Sequence, residues 1–92
     1  MGDRGKDSMG PVDEQLMENL RRLRLTIANE RGVPAFTIFH DSSLVDMCRK
    51  LPTSTVDFLS VSGVGKVKME QYGDRFVEAI ADYLNGNKPQ AS

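Results

Sequence analysis

The segment Ser62-Gly63-Val64-Gly65-Lys66-Val67-Lys68 sets two glycines around one apolar residue and follows them with two lysines. Glycines so placed let a chain turn tightly with positive φ. A helix starting just behind them leaves the backbone N–H groups of Gly65, Lys66 and Val67 without intrahelical partners. The unpaired donors and the helix dipole together favour an anion such as a phosphate. Lys66 and Lys68 oppose that dipole at a cost of a few tenths of a kcal/mol, which an anionic ligand would offset. Two plainer readings stay open: the glycines serve only the turn, and the lysines are solvated surface charges. A nucleotide-binding P-loop does not fit. Ser60 stands where its first glycine would be, and Val67 replaces the hydroxyl residue that would hold magnesium.

A second group of residues could recognise nucleic acid. Phe36 and Phe39 flank Ile38 in a piece of chain too short to bury all three. An aromatic ring left at the surface among cations can stack an unpaired base. Phe39 is expected in the core and Phe36 at the surface. Arg21, Arg22 and Arg24 lie mid-helix, with Arg49 and Lys50 at the end of another helix. Helical spacing points Arg22 well away from Arg24, so the three arginines cannot meet one ligand. Catalytic and metal chemistry find no support. His40 has neither a second histidine nor a cysteine at ligand spacing, and the lone Cys48 sits on an apolar stripe without a base beside it. No cofactor, metal or catalytic group is expected.

The elements that would position these residues follow from periodicity. Leu16, Leu20, Leu23 and Ile27 fall on one stripe of a helix over 13–31, which Gly32 ends and Pro34 cannot continue. Residues 33–39 predict a packed loop or a 3₁₀ turn. Asp41 is expected to cap a second helix carrying Leu44, Met47, Cys48 and Leu51, stopped by Pro52. Ser54-Thr55-Val56-Asp57 has the capping-box pattern and opens a short third helix with Phe58 and Leu59 inward. After the glycine turn, flanked by Leu59 and Val67 as core anchors, a fourth helix runs to Tyr72 and is closed by Gly73. Asp74 then caps a fifth that carries Phe76, Val77, Ile80, Ala81, Tyr83 and Leu84. No segment alternates as a strand, so the expected fold is all-α: a compact bundle of five short helices with a helix-hairpin-helix-like turn. Residues 1–12 read as a linker and 87–92 as a tail, leaving one folded unit over 13–86.

Composition narrows the function. The 92 residues are 39% hydrophobic and 27% charged, which suits one small domain with a modest core and no deep catalytic cavity. A binding module is favoured over a free-standing enzyme. One cysteine and the lack of a long apolar run predict an intracellular protein without a membrane span. With a net charge of −1 and nine basic against eleven acidic side chains over 13–86, any affinity for nucleic acid must come from local clustering.

Leu20-Arg21-Arg22-Leu23-Arg24, Ile27-Ala28, Val33-Pro34-Ala35-Phe36, Asp41-Ser42-Ser43-Leu44, Leu51-Pro52, Leu59-Ser60-Val61-Ser62-Gly63-Val64-Gly65 and Tyr72-Gly73 together resemble the HRDC domain, found in RecQ-type DNA helicases and ribonuclease D. The resemblance spans 13–86. It implies an all-helical, monomeric, non-catalytic module of a larger enzyme, a bacterial RecQ-type helicase in the cytoplasm, or a nuclear one in a eukaryote. Such a module engages single-stranded or branched DNA weakly. Phe36 stands at the family's aromatic contact position, as Phe rather than Tyr. The expected DNA-binding set is Phe36, Arg21, Arg24, Arg49, Lys50, Gly65, Lys66 and Lys68. The alternatives are a docking module whose Glu70, Asp74, Glu78 and Asp82 meet a basic partner or the helicase core, and the equivalent module of a ribonuclease D-like nuclease.

Overall fold

The computed structural model describes residues 13–86; the expected linker over 1–12 and tail over 87–92 lie outside the described residues. Four α-helices form, α1 Glu14–Arg31, α2 Asp41–Lys50, α3 Thr55–Phe58 and α4 Lys66–Leu84, with a 3₁₀ turn at Ala35–Thr37 between α1 and α2. No strand occurs among the described residues, in keeping with the all-α expectation.

α1 starts at Asp13, whose carboxylate accepts the N–H groups of Gln15 and Leu16 at 3.1 and 3.2 Å. It ends at Gly32, which takes φ 69° and donates to the carbonyls of Ala28 and Asn29. Leu16, Leu20 and Ile27 are buried as their spacing requires, and Met17 and Ala28 widen the stripe. α2 buries Leu44, Met47 and Cys48 and closes at Leu51, which adopts φ 50° and donates to the Met47 carbonyl at 2.8 Å. A left-handed leucine is uncommon, and the buried Pro52 behind it bars the helix from continuing.

The structure departs from the sequence expectation at three places. The expected fourth and fifth helices are one, because Gly73 stays helical within α4. Its missing side chain serves packing instead: a Cβ there would lie 3.3 Å from Met69 Cγ and 3.5 Å from Phe58 Cδ2, so glycine lets α4 close on α3. Asp74 is an exposed mid-helix residue and caps nothing. At α2 the cap position belongs to His40, while Asp41 is the first helical residue and turns its carboxylate to Arg24. The core anchors around the hairpin are Val61 and Val64, both buried, whereas Leu59 and Val67 are 42% and 65% exposed.

Aromatic rings fill the centre. Phe39 meets Phe76 edge-on with centroids 5.1 Å apart, Phe58 at 5.8 Å and Tyr72 at 5.9 Å. Each such pair contributes about 0.5–1.5 kcal/mol beyond its burial. The hairpin is latched to α2 by polar contacts: the Ser62 N–H donates to Asp46 Oδ2 at 2.8 Å, and Lys50 Nζ donates to the Ser60 carbonyl at 2.6 Å. Burial alone would raise the Asp46 pKa, but the Ser62 N–H and the Lys50 ammonium outweigh it and hold the carboxyl below its ordinary range. Gly63 takes φ 83°, and Ser43 Oγ occupies the place its Cβ would need.

The far end of α4 returns to the start of α1, where Tyr83 Oη donates to the Asp13 carboxylate at 2.8 Å. The Tyr83 hydroxyl first, then the Leu16 N–H, lower the Asp13 pKa, and the same bond raises that of Tyr83.

Gly63→Ala is expected to destabilise the domain by about 2 kcal/mol or more, from left-handed strain plus the clash with Ser43, measured by urea denaturation. The unfolded chain holds its carboxyl protons to higher pH than folded Asp13 and Asp46 do, so stability rises with pH through the carboxylate range. It is fully present above that range and falls as pH drops through it; the Tyr83 contribution is lost at the opposite, alkaline end. Thermal melts across pH should show both limbs, with Asp13→Asn flattening each.

Candidate nucleic-acid interface

The loop from Val33 to His40 carries the expected stacking residue. Thr37 and Ile38 donate their N–H groups to the carbonyls of Pro34 and Ala35, both at 3.0 Å, and the Thr37 hydroxyl adds a 2.7 Å bond to Pro34. With about three residues per turn, Ala35 and Ile38 share the inner face and Phe36 is turned outward. Ile38 and Phe39 are fully buried, while Phe36 is 57% exposed, as the sequence led one to expect. Its ring is stacked against His40, centroids 6.2 Å apart.

The first turn of α4 lies against this loop. Lys68 Nζ donates to the Thr37 carbonyl at 2.9 Å and sits 5.6 Å from the centre of the Phe39 ring. That contact ties Lys68 to the carbonyl of the residue next to Phe36. Gly65 is the cap residue of α4 and supplies no side-chain acceptor, so the first N–H groups of α4 have no capping side chain. Lys66 is exposed and makes no ion pair among the described residues.

Other residues of the expected set have structural duties or lie elsewhere. Arg24 is only 14% exposed on its side chain: Nη1 reaches Asp41 Oδ1 at 2.8 Å and the Phe39 carbonyl at 3.0 Å, so it pins the end of the Phe36 loop. Its Nε is buried without a partner. Lys50 is divided between Asp46, at 3.1 Å, and Ser60. Arg49 and Lys50 end α2, about 12 Å along the helix axis from Asp41, where the loop joins it. Arg21 is exposed on α1, near Cys48. Burial, then the Asp13 carboxylate, push the Cys48 thiol up to about 11 against the smaller opposing effect of Arg21. The thiol therefore stays protonated and packs, as expected of it.

One cation escaped the sequence reading. Arg31, in the last turn of α1, stands over the Tyr72 ring at 5.5 Å from its centre. Tyr72 borders Phe39, so Arg31 and Lys68 flank the same aromatic seam from opposite helices. Only its place at a helix C-terminus marked it, and that signal equally suits dipole compensation. Nearby Arg75 is occupied by Glu30, at 2.9 and 3.4 Å. Among the described residues no cluster of ligating side chains could hold a metal, and no helix is long and apolar enough to cross a membrane.

The model of the HRDC domain matches residues 13–80. The chain belongs to the HRDC domain family. It is 35% identical over 78 residues to the ATP-dependent DNA helicase RecQ of Haemophilus influenzae, covering 85% of this chain and 13% of that protein. It is 36% identical over 69 residues to the ATP-dependent DNA helicase UvrD2 of Mycobacterium tuberculosis, covering 75% of this chain and 10% of that one. Among solved structures, D. radiodurans RecQ HRDC domain 3 superimposes with a TM-score of 0.72 at 33% identity, covering 75% of this chain and 91% of that chain. The chain thus spans about an eighth or less of the helicases it matches, and the HRDC domain is an auxiliary part of them rather than the whole.

Arg24→Ala is expected to cost about 2 kcal/mol of folding stability, because it strips a charged partner from Asp41 and a donor from the Phe39 carbonyl. Arg49→Ala should change stability by less than about 0.5 kcal/mol. Parallel chemical denaturation of the two variants makes the comparison.

Proposed function

We propose that this HRDC domain is an auxiliary module of a RecQ-type DNA helicase that binds single-stranded or branched DNA weakly and thereby tunes the substrate choice of the parent enzyme. The observation that carries the reading is the exposure of Phe36 on a loop whose Ile38 and Phe39 are locked into the core. A large ring held outward by a rigid backbone, with Lys68 bonded to the next residue's carbonyl and Lys66 and Arg31 as further cations, has the parts for stacking a base and pairing its phosphates. The N–H groups following Gly65 add donors suited to a phosphate. Likeness to both RecQ and UvrD2 helicases supports a helicase parent over a ribonuclease D-like one. A monomer working in the bacterial cytoplasm, on the nucleoid, goes with this reading.

A second reading has its own observation. Glu70, Asp74, Glu78 and Asp82 are all exposed at successive four-residue steps along α4, and none is ion-paired among the described residues. Such a stripe repels nucleic acid and suits a basic protein surface, including that of a helicase core.

Fluorescence anisotropy with a labelled oligonucleotide at two or more salt concentrations tests the first reading. Affinity should fall with salt with a log–log slope of about −2 for three phosphate contacts on a single strand. Phe36→Ala should weaken binding about fivefold or more without altering that slope. Lys66→Ala, Lys68→Ala and Arg31→Ala should each reduce the slope, while Arg21→Ala and Arg49→Ala leave it unchanged. Absence of binding at low salt would reject the proposal in favour of docking.

A further inference from the structure

Building on the single-strand reading, we propose that His40 is a second base-stacking position beside Phe36, so that the site takes two consecutive unpaired bases. The two rings are inclined by only 23°, with centroids 6.2 Å apart, and both residues are exposed. The imidazole makes no hydrogen bond among the described residues. His40 holds the cap position of α2, where Ser, Thr, Asp or Asn would accept a backbone N–H, yet its side chain makes no such bond. The structural work there is done by its backbone carbonyl, which accepts from Ser43 and Leu44 at 3.0 and 3.3 Å.

The backbone beneath the ring is fixed on both sides. Phe39 is buried in the aromatic centre, and Asp41 is held by Arg24 at 2.8 Å, which also balances the carboxylate charge next to the histidine. A ring presented from so constrained a backbone loses little freedom on meeting a base. Lys68, bound to the Thr37 carbonyl, supplies the nearby positive charge for the connecting phosphate.

The spacing selects the kind of strand. Neighbouring bases in a duplex strand are about 3.4 Å apart along the axis, well short of 6.2 Å between the rings. Two adjacent bases reach both rings only when the strand is stretched beyond duplex spacing, which an unpaired strand allows and a duplex resists. Phe36 alone would accept any exposed base; the pair favours a run of at least two.

The experiment compares a labelled oligothymidine with one of equal length in which every second base is absent. Both have the same phosphates, but only the continuous strand can fill two adjacent rings. The wild-type chain should bind the continuous strand about fivefold more tightly, the low end of what one stacked base contributes. His40→Ala should bind the two alike, and His40→Phe should restore the preference, with melting curves showing that each variant is folded. A preference that survives in His40→Ala overturns the proposal while leaving the role of Phe36 intact. Failure of the wild-type chain to bind either oligonucleotide overturns the single-strand reading itself.

Discussion

The burial of Phe39 is the constraint to which the other features of this domain answer. Its ring is the point where α3 and α4 meet the segment leaving α1, through edge contacts with Phe58, Tyr72 and Phe76. With Ile38 and Phe39 committed to the interior, the turn from Ala35 to Thr37 has one orientation left, and it sets Phe36 in solvent. Arg24 and Lys68 then grip the backbone carbonyls of Phe39 and Thr37, on either side of Ile38, converting two cations into struts. The exposed ring is therefore a consequence of how the core is filled.

The same commitment explains the split among the basic residues. A patch assembled from every Arg and Lys of α1, α2 and the hairpin would have been broad. Arg24 and Lys50 instead satisfy carbonyls and carboxylates that folding would otherwise leave unpaired, a need that outranks solvent-exposed charge. What remains by the Phe36 loop is narrower: Lys68 on the Thr37 carbonyl, with Arg31 over the neighbouring Tyr72 ring.

Much of this was legible in the residues, and the exceptions have physical causes. The α1 stripe, the Gly32 stop, the Ser54 cap and the contrast between Phe36 and Phe39 follow from local spacing and turn chemistry. Gly73-Asp74 looks like a helix end followed by a cap, because a glycine required for close packing and one required for a left-handed turn are the same letter. Asp41 resembles a cap for a similar reason; its true partner, Arg24, lies in another helix and no local pattern reports it. Val61 and Val64 replaced Leu59 and Val67 as anchors because the turn reverses the chain between them, so periodicity does not carry across. The role open to Arg31 depends on Tyr72, forty-one positions away.

The bond from Tyr83 to Asp13 has a meaning beyond stability. It joins the last turn of the final helix to the residue that opens the first, so the described chain enters and leaves at one place. A unit built this way can hang from a longer polypeptide like a bead on a closed loop, with tension along the polypeptide falling on that one clasp rather than on the aromatic centre. The connecting segments, not the domain, would then set how far the Phe36 surface can reach.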